Sequence, residues 1–215
     1  MKRENHSAGR AFRLIDSELL GPAYFGDNCL VKRSSVGRYV GCGSFVRFLD
    51  CTVGAFSSIG DNVIIGAGHH ELGFVSTSLF KFASANWLFF PEYKEAFVRA
   101  KANKEYYSWR KSTVVGADVW VGANSVICAG VNVGNGAVIG ANSFVNRDVK
   151  DYEVVAGTPI RHIKFRLTAR QRRELLASRW WELPIDVLLN LKFKEFDSFI
   201  GDLSKVTKAR AKRGI

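Results

Sequence analysis

At 215 residues, with 47% hydrophobic and 24% charged residues, the chain has a globular composition and is long enough to bury a sizeable core. No apolar run approaches the length of a membrane span, and MKRENHSAGR lacks the apolar stretch of a secretory signal, so a soluble, cytoplasmic protein is expected. The net charge is +11, and the four cysteines (Cys29, Cys42, Cys51 and Cys128) lie far apart with no CxxC pair, which reads as reduced core thiols and not as a disulfide framework.

Residues 1–34 are expected as an N-terminal segment ahead of the main domain. From residue 35 a six-residue period sets in. An aliphatic residue followed by glycine stands at Val36-Gly37, Val53-Gly54, Ile59-Gly60 and Ile65-Gly66, with a one-residue slip near Phe48. Over residues 67–112 the rhythm stops. This stretch, beginning AGHHELGFVSTSLFKF, is rich in aromatics and holds His69 and His70, two of the four histidines. A solenoid tolerates insertions at its corners, and a long excursion on such a scaffold is usually functional.

The period then returns, unbroken, at Val115, Val121, Ile127, Val133, Ile139 and Val145. Four positions after each of these comes a small or β-branched residue: Val119, Ser125, Val131, Ala137, Ser143 and Val149. Such a pattern belongs to a coil of short parallel strands, in which one aliphatic per hexad points inward and stacks on its equivalent in the next coil. Glycine or Asn/Asp at the corners tolerates the backbone conformations of tight turns. A core helix would space its apolar residues by three and four, and a half-buried strand would alternate. Neither template fits residues 113–150. The fold expected is mainly β, a parallel β-helix of hexapeptide repeats over residues 35–159 with a loop insertion at about 67–112.

After Gly157-Thr158-Pro159 the pattern turns helical, and residues 160–215 are expected as a helical, basic extension. Thr168 is a suitable N-cap, Leu175, Leu176, Trp180 and Trp181 form an apolar stripe, and Pro184 marks its end. A second amphipathic stretch, IDVLLNLKFKEFDSFI, follows, and KVTKARAKRGI reads as a frayed tail. From residue 160 onward fourteen Lys/Arg stand against six Asp/Glu, so most of the net charge sits in the last quarter of the chain. No RNA- or DNA-reading motif interleaves aromatics with these charges, and nucleic acid is not expected as a partner. Polyanionic glycans, CoA phosphates or peripheral contact with an acidic membrane surface would suit the tail equally, and a solvated helix face would explain it as well.

These residues resemble the hexapeptide-repeat acyltransferase superfamily. The VSTSLF segment after the histidines, the VVGADVWVGANSVICAGVNVGNGAVIGANSFV tract, the AGTP turn and the Arg-rich helix ending in Trp-Trp are together similar to its xenobiotic and chloramphenicol acetyltransferase subfamily. The similarity covers about residues 35–185. That subfamily includes antibiotic acetyltransferases and enzymes that acetylate sugars of surface polysaccharides. The resemblance implies a left-handed β-helix with three hexads per turn, a homotrimer with active sites between subunits, acetyl-CoA as acyl donor, and no metal.

Acetyl transfer from a thioester requires that the acceptor hydroxyl or amine lose a proton as it attacks, and that donors meet the oxyanion. A neutral imidazole suits the first task. His6 lies in the terminal segment and His162 among basic residues, which leaves His69 and His70. In the subfamily the base precedes a Ser-Thr pair by six positions. Ser76-Thr77 stand here, so His70 is the first candidate and His69 the second, with Ser76, Thr77 and Phe80 on the acceptor side. Leu79 replaces the proline usual in this stretch, which points to an unusual acceptor pocket. By the same resemblance, backbone groups at Ala123 and Ala141 meet the pantetheine arm of CoA. Asn146, Arg147, Arg161 and Lys164 match positions near its nucleotide end, where guanidinium groups suit phosphate. Arg147 replaces a more usual lysine and keeps the charge.

Three functions remain open at this stage. The first is O-acetylation of a sugar hydroxyl on a surface or exported glycan, toward which the aromatic insert and the basic tail lean. The second is acetylation of an antibiotic, or N-acetylation of an amino-sugar nucleotide. The third is a non-enzymatic β-helix scaffold, against which the histidine loop argues. A zinc carbonic anhydrase on the same scaffold would need three histidine ligands, which the repeats do not contain.

Overall fold

A computed structural model describes residues 6–70, 72, 73, 75, 77 and 111–212. Its strands wind in coils of three. The first coil holds β1 (His6–Ala8), β2 (Arg13–Ile15) and β3 (Glu18–Leu19). The second holds β4 (Ala23–Phe25), β5 (Leu30–Lys32) and β6 (Ser35–Val36), and the third β7 (Val40–Cys42), β8 (Arg47–Leu49) and β9 (Cys51–Val53). In the fourth, β10 (Ser58–Ile59) and β11 (Ile64–Ala67) precede the excursion and β12 (Thr113–Val115) follows it. The fifth holds β13 (Trp120–Val121), β14 (Val126–Cys128) and β15 (Asn132–Val133). The sixth has β16 (Val138–Ile139), β17 (Phe144–Val145) and a single bridge from Val149 to Val133. A seventh begins at β18 (Glu153–Ala156), and β19 (Arg161–Phe165) turns back on it antiparallel.

Equivalent strands of successive coils pair in parallel and make three sheets of eight, six and five strands, here A, B and C, which are the faces of a prism. The sixfold aliphatics all point into it. Val115, Val121, Ile127, Val133, Ile139 and Val145 are at most 2% exposed, and Val119, Ser125, Val131, Ala137, Ser143 and Val149 are buried beside them at the corners.

The segment 1–34, expected as an N-terminal segment ahead of the β-helix, carries β1–β5, which join the same sheets, so the solenoid extends down to His6 among the described residues. Two features hide these coils from a strict six-residue scan. Here the inward positions of sheets A and B include Phe25, Cys42 and Phe48 in place of aliphatics. In addition, the first coils repeat every seventeen residues, as in Arg13↔Leu30↔Arg47, whereas Val126↔Phe144 is separated by eighteen. The missing residue is at the corner between sheets B and C, where Asp16, Arg33 and Asp50 each take a left-handed φ of 46–48°. Serine hydroxyls tie this short corner together: Ser34 N–H donates to Ser17 Oγ (3.0 Å) and Cys51 N–H to Ser34 Oγ (3.1 Å).

The repeat glycines serve a purpose other than the one expected of them. Most positive-φ corner residues are not glycine; they include Asn28, Asn62, Asn124 and Asn142, and also Tyr39, Phe45 and Phe56. The glycine after each inward aliphatic is required instead by the coil above. A Cβ on Gly54 would lie 2.5 Å from the backbone of Gly116 and Ala117, and one on Gly122 would lie 2.4 Å from Ala141 N.

Beyond β19 come α1 (Ala169–Ser178), a 3-10 turn (Trp180–Glu182), α2 (Ile185–Leu188) and α3 (Phe196–Lys212). Residues 160–215, expected as a helical extension with a frayed end, open with a strand, and the second amphipathic stretch is divided between two helices. The stretch read as a frayed tail continues α3 as far as Lys212. Thr168 is the N-cap, in a capping box with Gln171. The helices dock on the corner between sheets C and A. There Tyr39 stacks on Phe56, Phe56 meets Trp180 at 5.4 Å, and Arg38 donates to the carbonyls of Trp181 (2.9 Å) and Leu183 (2.5 Å). Sheet B and its two corners stay clear of these contacts.

Gly54→Ala should lower stability by about 1–3 kcal/mol, the usual cost of overpacking. Gly41→Ala, whose Cβ would meet nothing within 4 Å among the described residues, should change it by less than about 0.5 kcal/mol. Urea unfolding of the two variants distinguishes close approach from a general loss of glycine.

Candidate active site

The chain leaves the prism at the corner between sheets B and C, in the fourth coil. At the end of β11, Gly66 has φ +81°, and a Cβ there would sit 1.9 Å from the Leu49 carbonyl oxygen, so only glycine makes this exit. His69 and His70 follow at once, and both are exposed. Nδ1 of His70 lies 2.5 Å from the Thr77 carbonyl oxygen. A carbonyl can only accept, so Nδ1 carries the ring hydrogen and Nε2 keeps its lone pair. Ser76, Phe80 and the aromatic stretch 78–110 lie outside the described residues. Where the excursion returns, Thr113 Oγ1 donates to the Cys128 carbonyl (3.3 Å) and accepts from Gly130 N–H (3.1 Å), fixing that strand on the coil above.

Below this corner, across sheet C, runs an open groove of about 470 Å³ lined by residues that include Asp16, Glu18, Arg33, Ser35, Thr52 and Ser112. Arg33 and Asp50 form a bidentate pair beside it, with Nε and Nη2 each 2.6 Å from a carboxylate oxygen. The Asp50 carboxylate, with a smaller contribution from Asp16, holds the Arg33 guanidinium above its ordinary pKa. Cys51 is the one lining residue without a charge or hydroxyl.

Ala123 and Ala141 sit one above the other at the opposite edge of sheet B, the A–B corner, packed over Gly60 and Gly122. The Ala123 carbonyl accepts from Asn142 N–H (2.9 Å), but among the described residues neither alanine N–H finds an acceptor. The turn 157–160 closes this column, with Phe144 N–H donating to the Gly157 carbonyl, and Arg161 follows it, paired with Ala156. Lys164 stands three residues further along β19, opposite Val154.

Asn146 and Arg147 return to the histidine corner, two coils above it, a rise of about 10 Å at ordinary strand spacing. Arg147 Nη1 donates to the Asp148 carbonyl (2.9 Å) and Nη2 lies 3.6 Å from Glu153 Oε1. Glu153, 3% exposed, also accepts from His162 Nδ1 (2.9 Å) and Lys150 N–H (2.8 Å). Burial alone would raise its pKa, but the Lys150 amide, His162 and Arg147 together hold it below the ordinary 4.5.

The structure therefore places His70, Asn146 and Arg147 on one corner of sheet B and Ala123, Ala141 and Arg161 on the other. The Glu153–His162 pair was missed from sequence. His162 was set aside as one more residue in a basic stretch, and only the reversal of β19 onto β18 brings the two together.

The bacterial transferase hexapeptide (six repeats) family matches residues 112–147. The chloramphenicol acetyltransferase of Escherichia coli is 32% identical over 137 residues, 62% of this chain and 60% of that one. The "Probable macrolide acetyltransferase" of Lysinibacillus sphaericus is 30% identical over 131 residues, 60% of this chain and 67% of that one. A shorter match, 41% identical over 64 residues and 30% of each chain, is to the galactoside O-acetyltransferase of Escherichia coli K12. The chain belongs to the hexapeptide-repeat acyltransferases. Within that family its similarity runs to the chloramphenicol and macrolide acetyltransferases, and it spans about 60% of the length of the former.

Because folding depresses the pKa of Glu153, its contribution to stability is present above the unfolded value and is lost as pH falls through the folded one. The melting temperature should thus fall on acidification from pH 7 to pH 4 by less in Glu153→Gln than in the wild type. Equal falls would show that this carboxylate carries no linkage.

Proposed function

We propose that the protein is an acetyl-CoA-dependent acetyltransferase that acylates a sugar hydroxyl, with His70 as general base. The hydrogen bond from His70 Nδ1 to the Thr77 carbonyl carries this reading, because it leaves Nε2 as the basic nitrogen on an exposed ring. Acetyl-CoA supplies the thioester. Nε2 takes the acceptor proton as the hydroxyl oxygen attacks the carbonyl carbon, and returns it to the departing thiolate. The free N–H groups of Ala123 and Ala141 are suited to pantetheine carbonyls, and Arg147, Arg161 and Lys164 to the phosphates of the nucleotide.

The acceptor class is argued from the groove beside the histidine corner. Among the described residues its lining is charged and hydroxyl-bearing, apart from Cys51, and can exchange hydrogen bonds with a polyol. A second reading, an antibiotic as acceptor, is favoured by the sequence matches over 137 and 131 residues to a chloramphenicol and a macrolide acetyltransferase.

The positions of the two halves of the site support a homotrimer. The hexad between the two corners of sheet B spans roughly 20 Å at most, and the outward residues of that sheet include Leu30, Leu49, Ile64, Val126 and Phe144. Three copies that turn this face toward a common axis bring the histidine corner of each against the alanine corner of the next, a closed heterologous ring. Scattering in solution should give three times the chain mass, and a monomer with full activity would overturn the assembly.

With acetyl-CoA and a panel of sugars, nucleotide-sugars and antibiotics, thiol release should be strongest with a sugar alcohol group. Against the best acceptor, His70→Ala should reduce kcat by about a hundredfold or more with little effect on acetyl-CoA affinity. His69→Ala should stay within about threefold of wild type, since its ring has no part in the proton transfer. An active His70→Ala enzyme would eliminate this base, and turnover only with antibiotics would select the second reading.

A further inference from the structure

We propose that Glu153 is a positioning residue, holding Arg147 and His162 as a preset pair of donors for a phosphate of the CoA nucleotide. This rests on the reading that the nucleotide end of CoA lies against Arg147 and Arg161. Glu153 is the first residue of β18 and one of the few charged side chains buried among the described residues. Among the described residues its carboxylate meets only cationic or N–H groups: Lys150 N–H at 2.8 Å on one oxygen, and His162 Nδ1 at 2.9 Å and Arg147 Nη2 at 3.6 Å on the other.

A buried carboxylate is costly unless its lone pairs are filled, and here they are filled by two side chains that are otherwise nearly half exposed, Arg147 at 45% and His162 at 47%. The exposed parts are what remain for a ligand. With Nδ1 turned to the acid, Nε2 of His162 lies on the far side of the ring. With Nη1 on the Asp148 carbonyl and Nη2 toward Glu153, the remaining N–H bonds of Arg147 stay available. The two side chains come from different segments, the turn after β17 and the strand β19, and the Glu153 carboxylate is the group that both of them contact. Arg161 and Lys164, on the same strand as His162, have no ion-pair partner among the described residues and extend the basic edge. Two rotamer-rich side chains ordered in advance bind an anion at a lower entropic cost than free ones.

The sign of one measurement separates positioning from plain charge. Removing a negative charge beside a phosphate site should, by Coulomb's law alone, tighten CoA. If Glu153 positions the donors, Glu153→Gln should instead weaken CoA binding about five- to tenfold, the scale of re-ordering two side chains. In an Arg147→Ala background its effect should shrink, because the partner through which it acts is gone. Titration calorimetry with CoA on the full chain reads both. Unchanged or tighter binding by Glu153→Gln, even with a lowered melting temperature, would reduce the acid to a purely structural role and overturn the proposal. Should that variant not fold, His162→Ala on the open edge is the substitute. It should weaken CoA and blunt competition by inorganic pyrophosphate, and wild-type values for both would be equally decisive against it. Arg147→Ala and Arg161→Ala test the underlying reading separately. If neither weakens CoA, the nucleotide site lies elsewhere; if they do and Glu153→Gln does not, only the positioning role fails.

Discussion

Everything in this structure depends on how closely one coil can lie on the next. The backbone after each inward aliphatic meets the backbone of the following coil with no room for a Cβ between them, as Gly54 and Gly122 show. That contact lets equivalent strands hydrogen-bond in parallel, and lets the aliphatics form continuous buried columns through Phe25, Ile59 and Ile139 on one face and Val31, Ile65 and Ile127 on another. Close packing of this kind tolerates little variation in the coil and leaves the corners as the place where the chain can depart from it. The long excursion, the shortened early turns and the docked helices are all at corners.

Much of this was legible in the hexads, because the period of an inward residue is imposed by the same stacking that builds the prism. What escaped was the part in which other residue types meet the same demand. Phe25, Cys42 and Phe48 fill inward positions without being aliphatic, and one residue lost at the corner of Asp16, Arg33 and Asp50 moves the phase in each early coil. The glycine pattern was visible, but its cause was not. Turn conformation and close approach both select glycine, and only the coordinates assign Gly54 to the second and Gly66 to both.

Of the candidate site, the histidine was legible and its tautomer was not, since the latter depends on a carbonyl seven residues away. The separation of His70 and Arg147 from Ala123, Ala141 and Arg161 on two corners could not be read from spacing either. In sequence these groups interleave; on the prism they face opposite ways. Glu153 and His162 are nine residues apart and become neighbours only because β19 reverses direction.

That reversal has a bearing on how such a chain can grow. The second and third coils pair with the same seventeen-residue separation on all three sheets, so a coil duplicated there would find the same register on either side. At the top of the prism a duplication would part Arg147 from Glu153 and β18 from its antiparallel neighbour. The stacking is thus open to lengthening in the lower half of the prism and fixed at the upper end, where the basic edge stands.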